Sequence, residues 1–200
     1  MTPGEAVIAV WVLWVASWIA AAIWSDPAAS RPAAREELLY RAVTVGGVAL
    51  LAAGHRLDHG ARLWRLGQPA QWGLVAIIVI GLAFAWQARL YLGRLWSSSV
   101  TRKADHRVID TGPYAVVRHP IYTGIIAALY ATAIWKADAF GIAGALLMTI
   151  AFWLKARLEE RFLREQLGAE AYDSYRRKVP MLAPFGPKGA APLPKWEEQG

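Results

Sequence analysis

Two stretches of this 200-residue chain carry no charge over the thickness of a membrane: Ala6 to Trp24, 19 residues, and Leu66 to Ala88, 23 residues. At about 1.5 Å per residue, either is long enough to cross a hydrocarbon core of about 30 Å. From His119 to Leu154 the only charges are Lys136 and Asp138. The composition agrees, with 56% hydrophobic residues, 18% charged residues and 11 Trp. Together these features exclude an ordinary water-soluble domain and predict an all-α, polytopic membrane bundle.

Five spans are expected, at residues 6–24, 38–54, 70–92, 120–135 and 139–156. The last two, separated by Trp135-Lys136-Ala137-Asp138, read as a tight helical hairpin. The second has only 13 uncharged residues from Ala42 to Gly54, so it must recruit Leu38, Leu39 and Tyr40 and let Arg41 reach the interface. In this arrangement 18 of the 22 Lys and Arg lie on one side, with loop 93–119 and the C-terminal tail. The positive-inside rule makes that side cytosolic and puts the N-terminus opposite. The opening run is preceded by no Lys or Arg, so it is read as a retained helix instead of a cleaved leader.

Other classes fall away on residue type. The chain has no Cys, which rules out disulfides, thiol nucleophiles and Cys-ligated metal. Its net charge of +7 is spread around apolar spans, a pattern suited to anionic lipid headgroups and not to nucleic acid. His55 and His59 stand four residues apart, as two metal ligands on one helix face would. No third ligand lies nearby, so no metal is expected. Trp11, Trp14 and Trp18 form a helical stripe that reads as packing against a neighbour or lipid.

Polar groups that converge in a membrane protein mark chemistry because burying them is costly. Residues 106–124, H-R-V-I-D-T-G-P-Y-A-V-V-R-H-P-I-Y-T-G, place Arg118 and His119 just before Pro120. Proline suits the first helical position, so this pair sits at a helix N-terminus, where free amides and a guanidinium favour a carboxylate or phosphate. The alternative is an interfacial Arg with a His bonded to backbone. Gly124, one turn on, lets another backbone or a flat ligand approach. Past the last apolar residues of the fifth span, Glu159 and Glu160 lie at the same level as Arg118. Adjacent helical residues point about 100° apart, so one carboxylate can face the partner helix while the other meets solvent or ligand. The alternative here is a solvated helix with pairs such as Glu160–Arg164 and Arg161–Glu165. A ligand matching these walls carries a carboxylate, an ammonium or hydroxyls, and a flat ring. S-adenosylmethionine has all of them, and its sulfonium gains from acidic or aromatic neighbours.

The motif order resembles that of the isoprenylcysteine carboxyl methyltransferase family, integral membrane enzymes that use S-adenosylmethionine. The likeness runs from His106 through R-H-P-I-Y-T-G, the pair Glu159-Glu160 and L-G-A-E-A-Y-D-S-Y (Leu167 to Tyr175) to V-P-M-L-A-P-F (Val179 to Phe185). It covers about 80 residues; the R-H-P and Glu-Glu elements are shared with phospholipid N-methyltransferases. The resemblance implies a cofactor pocket lined by Tyr114, His119, Pro120, Tyr122, Gly124, Glu159 and Glu160. Arg118 and Glu160 would then bridge the cofactor and acceptor ends as the catalytic pair. Many relatives have Arg after Val-Pro where this chain has Met181, which turns attention to Arg176-Arg177-Lys178.

The expected organisation is three N-terminal spans (1–95), a cytosol-facing catalytic region of loop, hairpin and C-terminal helix (96–188), and a tail (189–200). The expected reaction forms S-adenosylhomocysteine and the methyl ester of a lipophilic or lipidated acceptor such as an isoprenylcysteine. Phospholipid or other amine N-methylation is the enzymatic alternative. A small transporter or scaffold is the non-enzymatic one, disfavoured because the polar cluster lies at one interface and not at the midplane.

Overall fold

The computed structural model describes residues 1–21, 34–57, 62–93 and 108–189. These form seven helices: α1 (Pro3–Ala20), α2 (Ala34–Leu57), α3 (Gln68–Leu92), α4 (Pro113–Val116), α5 (Pro120–Lys136), α6 (Ala139–Leu167) and α7 (Ala169–Lys178). Among the described residues there is no strand. Three helices, α1, α3 and α6, are long and apolar enough to cross a membrane.

Helix boundaries follow local chemistry and shift several of the expected limits. α1 starts at Pro3, earlier than residue 6, because Thr2 and Glu5 close a capping box on its first turn. It ends at Ala20, while the expected end, Trp24, lies outside the described residues. α2 runs four residues further towards the N-terminus than the expected 38, taking in Arg35 and Glu37. A charged first turn does not stop a helix whose later residues are packed. α6 does not end near residue 156; it continues three more turns, to Leu167. Between α5 and α6 the chain turns through Ala137, which is in the left-handed region (φ 56), and Asp138, whose carboxylate caps α6 by accepting from the Gly141 amide.

Small residues set how closely the helices approach. Gly81 of α3 and Gly124 of α5 lie backbone against backbone: a Cβ on Gly124 would sit 2.9 Å from the Ala85 nitrogen. In the same way, a Cβ on Gly144 of α6 would sit 2.9 Å from the Gly47 carbonyl oxygen of α2. Lipid gives helices little hydrophobic reason to associate, so such contact surfaces supply much of the packing energy. Around them Ile78 and Leu82 of α3 pack with Ala128 and Ala131 of α5 and with Ala6 and Val7 of α1.

The tryptophan stripe of α1 packs against neighbouring helices, the first of the two readings, neighbour or lipid, that the sequence left open. Trp14 and Trp18 stack at 4.7 Å; Trp11 donates to the Thr132 hydroxyl and Trp14 to the Leu82 carbonyl. Arg89 of α3 completes this side, its guanidinium 4.4 Å from the Trp18 ring centre and donating to the Ala21 carbonyl at the end of α1. At the end of the bundle bearing the α5–α6 turn, residues 62–67 are pinned by Leu63 N–H to the Ala137 carbonyl and Trp64 to the Ile134 carbonyl. Lys136 reaches the Leu51 carbonyl of α2 there. Of the His55-to-His59 constellation, Asp58 and His59 lie outside the described residues.

Candidate active site

At the other end of the bundle the chain doubles back on itself. After α4, Val117 is fully buried and extended, and Arg118 and His119 lead into α5 with Pro120 at its first position. The segment after α7 returns alongside: the Arg118 amide donates to the Pro180 carbonyl (2.8 Å) and the His119 amide to the Met181 carbonyl (3.1 Å). The Thr123 hydroxyl donates to the Leu182 carbonyl. The V-P-M-L run therefore serves as a backbone splint for the R-H-P segment. Met181 takes part through its carbonyl, which any residue at that position would supply.

The side chains build on this splint. Arg118 is buried; its Nε donates to Glu160 Oε1 at 2.6 Å and its Nη1 to the carbonyls of Arg176 (3.1 Å) and Val179. Glu160, also buried, is held on both oxygens, since Arg176 of α7 reaches Oε2 at 3.1 Å. His119 lies between the two glutamates, with Nε2 3.3 Å from Glu160 Oε1 and Nδ1 3.5 Å from Glu159 Oε2. Burial alone would lower the pKa of this imidazole, but the two carboxylates outweigh it and hold the ring above its ordinary value. Both glutamates thus face the R-H-P segment, and the expectation that one turns to water holds only in degree. Glu159 keeps 19% of its side-chain surface exposed, against 6% for Glu160.

An aromatic face adjoins these charges. The Tyr122 hydroxyl donates to Glu159 Oε1 at 2.6 Å, and its ring lies nearly parallel to His119 (4°, 5.4 Å between centres) and stacks on Phe152 at 5.0 Å. Tyr114 is buried beneath: its hydroxyl donates to the Ala88 carbonyl, while its own carbonyl accepts from the Tyr175 hydroxyl at 2.6 Å. Burial raises the pKa of both phenols well above their ordinary value, so they act as neutral donors. At Gly124 the structure places the α3 backbone, the first of the two neighbours its sequence position allowed.

The structure brings Arg118, His119, Pro120, Tyr122, Glu159 and Glu160 together, with Tyr114 and Gly124 on the supporting side. Sequence reasoning passed over Arg176 and Asp173 as individuals. Arg176 ties Glu160 to Asp173 (3.1 Å each), and Arg164 pairs with Asp173 at 2.8 Å and not with Glu160, as the solvated-helix alternative would have had it. Burial pushes Asp173 up, but the two guanidiniums outweigh it and lower its pKa. The signal available was the Arg176-Arg177-Lys178 run at the end of α7; the helix phase selects its first member. Among the described residues no cluster of His, Asp and Glu is arranged to hold a metal ion.

Fold and site together define an all-helical membrane protein in which most of the buried ionisable groups among the described residues, though not Asp138 at the α5–α6 turn, lie at one end of the bundle. The phospholipid methyltransferase family model matches residues 70–170, which include the R-H-P segment and both glutamates; the chain belongs to that family. Among its relatives, a Pseudomonas methanethiol S-methyltransferase is 31% identical over 61% of this chain and 50% of its own length. The protein-S-isoprenylcysteine O-methyltransferase of Schizosaccharomyces pombe is 28% identical over 58% of this chain and 50% of its own. That of Arabidopsis thaliana, form B, is 25% identical over 56% of this chain and 57% of its own. The chain spans about half the length of the curated relatives it matches.

Proposed function

We propose that this protein transfers a methyl group from S-adenosylmethionine to a lipophilic acceptor, forming the methyl ester of an isoprenylcysteine-like carboxylate. One observation supports the reading: the stacked His119–Tyr122 pair stands against Glu159, giving an aromatic face beside a half-buried carboxylate. That donor set fits the cofactor, since a sulfonium or ammonium is favoured by carboxylate and π-face, and a flat ring by the stack. When bound, the cofactor supplies an electrophilic methyl group.

The protein's own contribution is placement and exclusion of water. Glu159 and Tyr122 hold the cationic portion, His119 orients between the glutamates, and Arg118 with Glu160 forms the catalytic pair where cofactor and acceptor ends meet. A carboxylate acceptor is a nucleophile at neutral pH without losing a proton, so alignment in a dry site suffices. An amine acceptor would need a base, a role open to Glu160 or His119. The names of two relatives favour a second acceptor, a thiol; its thiolate is an anion like the carboxylate.

In this reading α2 and α5 also cross the bilayer, making five spans with α5 and α6 as a hairpin, residues 96–188 as the catalytic region and the site on the cytosolic side. The Lys and Arg distribution and the gathering of buried charge at one bundle end support it. The experiment is transfer of labelled methyl from S-adenosylmethionine to lipid extracts and to defined carboxylate, thiol and amine acceptors. Base-labile label identifies esters. Stable N-methyl or S-methyl product would reassign the acceptor, and no transfer to any of them would refute the reading.

A further inference from the structure

Of the run V-P-M-L-A-P-F, residues 179–182 hold the R-H-P segment, which leaves Pro184 and Phe185 without a task. The chain turns sharply there, the Gly186 amide donating to the Ala183 carbonyl at 2.9 Å. Phe185 takes the third position of that turn with φ 64, a left-handed conformation that glycine or asparagine ordinarily supplies. Ala137, the other described non-glycine residue with positive φ, is small and buried. Phe185 is bulky and fully exposed, so no contact among the described residues offsets its strain or covers its apolar surface. The turn is fixed at both ends. Leu182 accepts from Thr123 at the start of α5 and, with Met181, packs into the apolar cluster that includes Ala156 of α6, while the Gly189 amide donates to the Arg176 carbonyl at 2.8 Å. Phe185 therefore lies near the level where the apolar part of α6, a helix able to cross a membrane, gives way to charge. The chain then brings Lys188 back beside the basic end of α7; from Ser174 to Lys188 there are four basic residues and no acidic one.

We propose that the Pro184-Phe185 turn is a bilayer anchor: the Phe185 ring inserts into the leaflet surface on the side of the candidate site, and Lys178 and Lys188 meet anionic headgroups there. Aromatic rings settle at this depth in a bilayer, and basic side chains beside them add attraction to anionic lipid. Left-handed strain in a phenylalanine is then offset outside the protein, by lipid. The ring and the backbone that holds the Arg118 and His119 amides belong to one short segment. Insertion of the ring therefore keeps residues 179–182 docked, and the lipid surface is coupled to the order of the R-H-P segment.

The test uses the full chain in lipid nanodiscs, with a ring-fluorinated phenylalanine at position 185 as the sole fluorine. Its resonance should be broadened more by a nitroxide on the upper acyl chain of the lipid than by a water-soluble gadolinium chelate. The lipid-borne broadening should grow when phosphatidylglycerol replaces part of the phosphatidylcholine, and less so in K178Q/K188Q. Equal or stronger broadening by the chelate would put the ring in water, and protection from both agents would put it against protein, such as a second copy of this chain; either result overturns the anchor. Two variants test the coupling. F185G relieves the left-handed strain, yet in nanodiscs it should speed hydrogen exchange at the Arg118 and His119 amides by about five- to tenfold, while F185W keeps exchange near that of the unmodified protein. Exchange unchanged or slowed in F185G would show that the ring does not hold the splint and would overturn the coupling.

Discussion

Arg89 and Arg118 are both buried guanidiniums near helix ends, and their surroundings differ in kind. Arg89 lies against the faces of Trp18 and Trp86 and donates to the carbonyl that ends α1, so it joins two helices. Arg118 joins three separate pieces of chain: the start of α5, Glu160 of α6 and the backbone at and beyond the end of α7. An aromatic clamp tolerates the loss of its cation because the rings still pack. An ion network does not, because the surviving carboxylate stays buried without its partner. The difference separates a charge that joins two helices from one that belongs to the candidate site.

Breaking both clamps should show the largest effect. Arg118→Ala should cost about 3–5 kcal/mol in stability and abolish methyl transfer, whereas Arg89→Met should cost about 1–2 kcal/mol and leave transfer within a few-fold. Denaturant unfolding in mixed micelles and a methyl-label assay measure the two quantities. Swapping the charges, with Arg118→Glu and Glu160→Arg together, should restore neither, since a glutamate at 118 cannot donate to the Val179 and Arg176 carbonyls. Recovery of transfer in the swapped protein would show that the pair is only a strut.

The two glutamates give the next contrast. Glu160→Gln weakens the charge-assisted contacts with Arg118 and Arg176 and should lower transfer by about ten- to a hundredfold, equivalent to roughly 1.5–3 kcal/mol in all. Glu159→Gln should be milder, because Glu159 is more exposed and its short contact is to a neutral phenol. An equal loss at both positions would show that Glu159 matters to transfer as much as Glu160.

His119 ties stability to pH. Its folded pKa is raised, so the protonated ring stabilises the fold fully below about pH 6.5, the ordinary histidine value, and this contribution is lost as pH rises through the raised value. The thermal midpoint should therefore fall across that window in the unmodified protein, and the fall should flatten in His119→Gln. A slope unchanged by the substitution would place the titrating group elsewhere. The smallest effect is expected at Tyr175→Phe, which removes the bond to the Tyr114 carbonyl and should cost about 0.5–1.5 kcal/mol without changing acceptor preference.

The comparison also explains what could be read from the sequence. Helices α1 and α3 announce themselves because a charge-free run of that length has few other uses. Pro120 marks the start of α5, and Glu159 with Glu160 could be placed at the level of Arg118 by counting residues through the α5–α6 turn. The return of Pro180 and Met181 onto Arg118 and His119 could not be counted, because pairing across some sixty residues leaves no local periodicity. Arg176 stayed hidden among three basic neighbours for the same reason, since only the docking of α7 selects the one that meets Glu160. The early start of α2 was missed because Arg35 and Glu37 look like loop until Tyr40 and Leu158 are seen to pack.

The central claim is that the cluster at the start of α5 and the end of the apolar part of α6 is a cofactor site and not merely a strut. Titrating S-adenosylhomocysteine into the nanodisc-embedded protein by calorimetry tests it most directly. The account predicts a dissociation constant on the order of micromolar, weakened about tenfold or more by Glu160→Gln and unchanged by Arg89→Met. Absence of binding, or binding indifferent to Glu160→Gln in a folded protein, would contradict it.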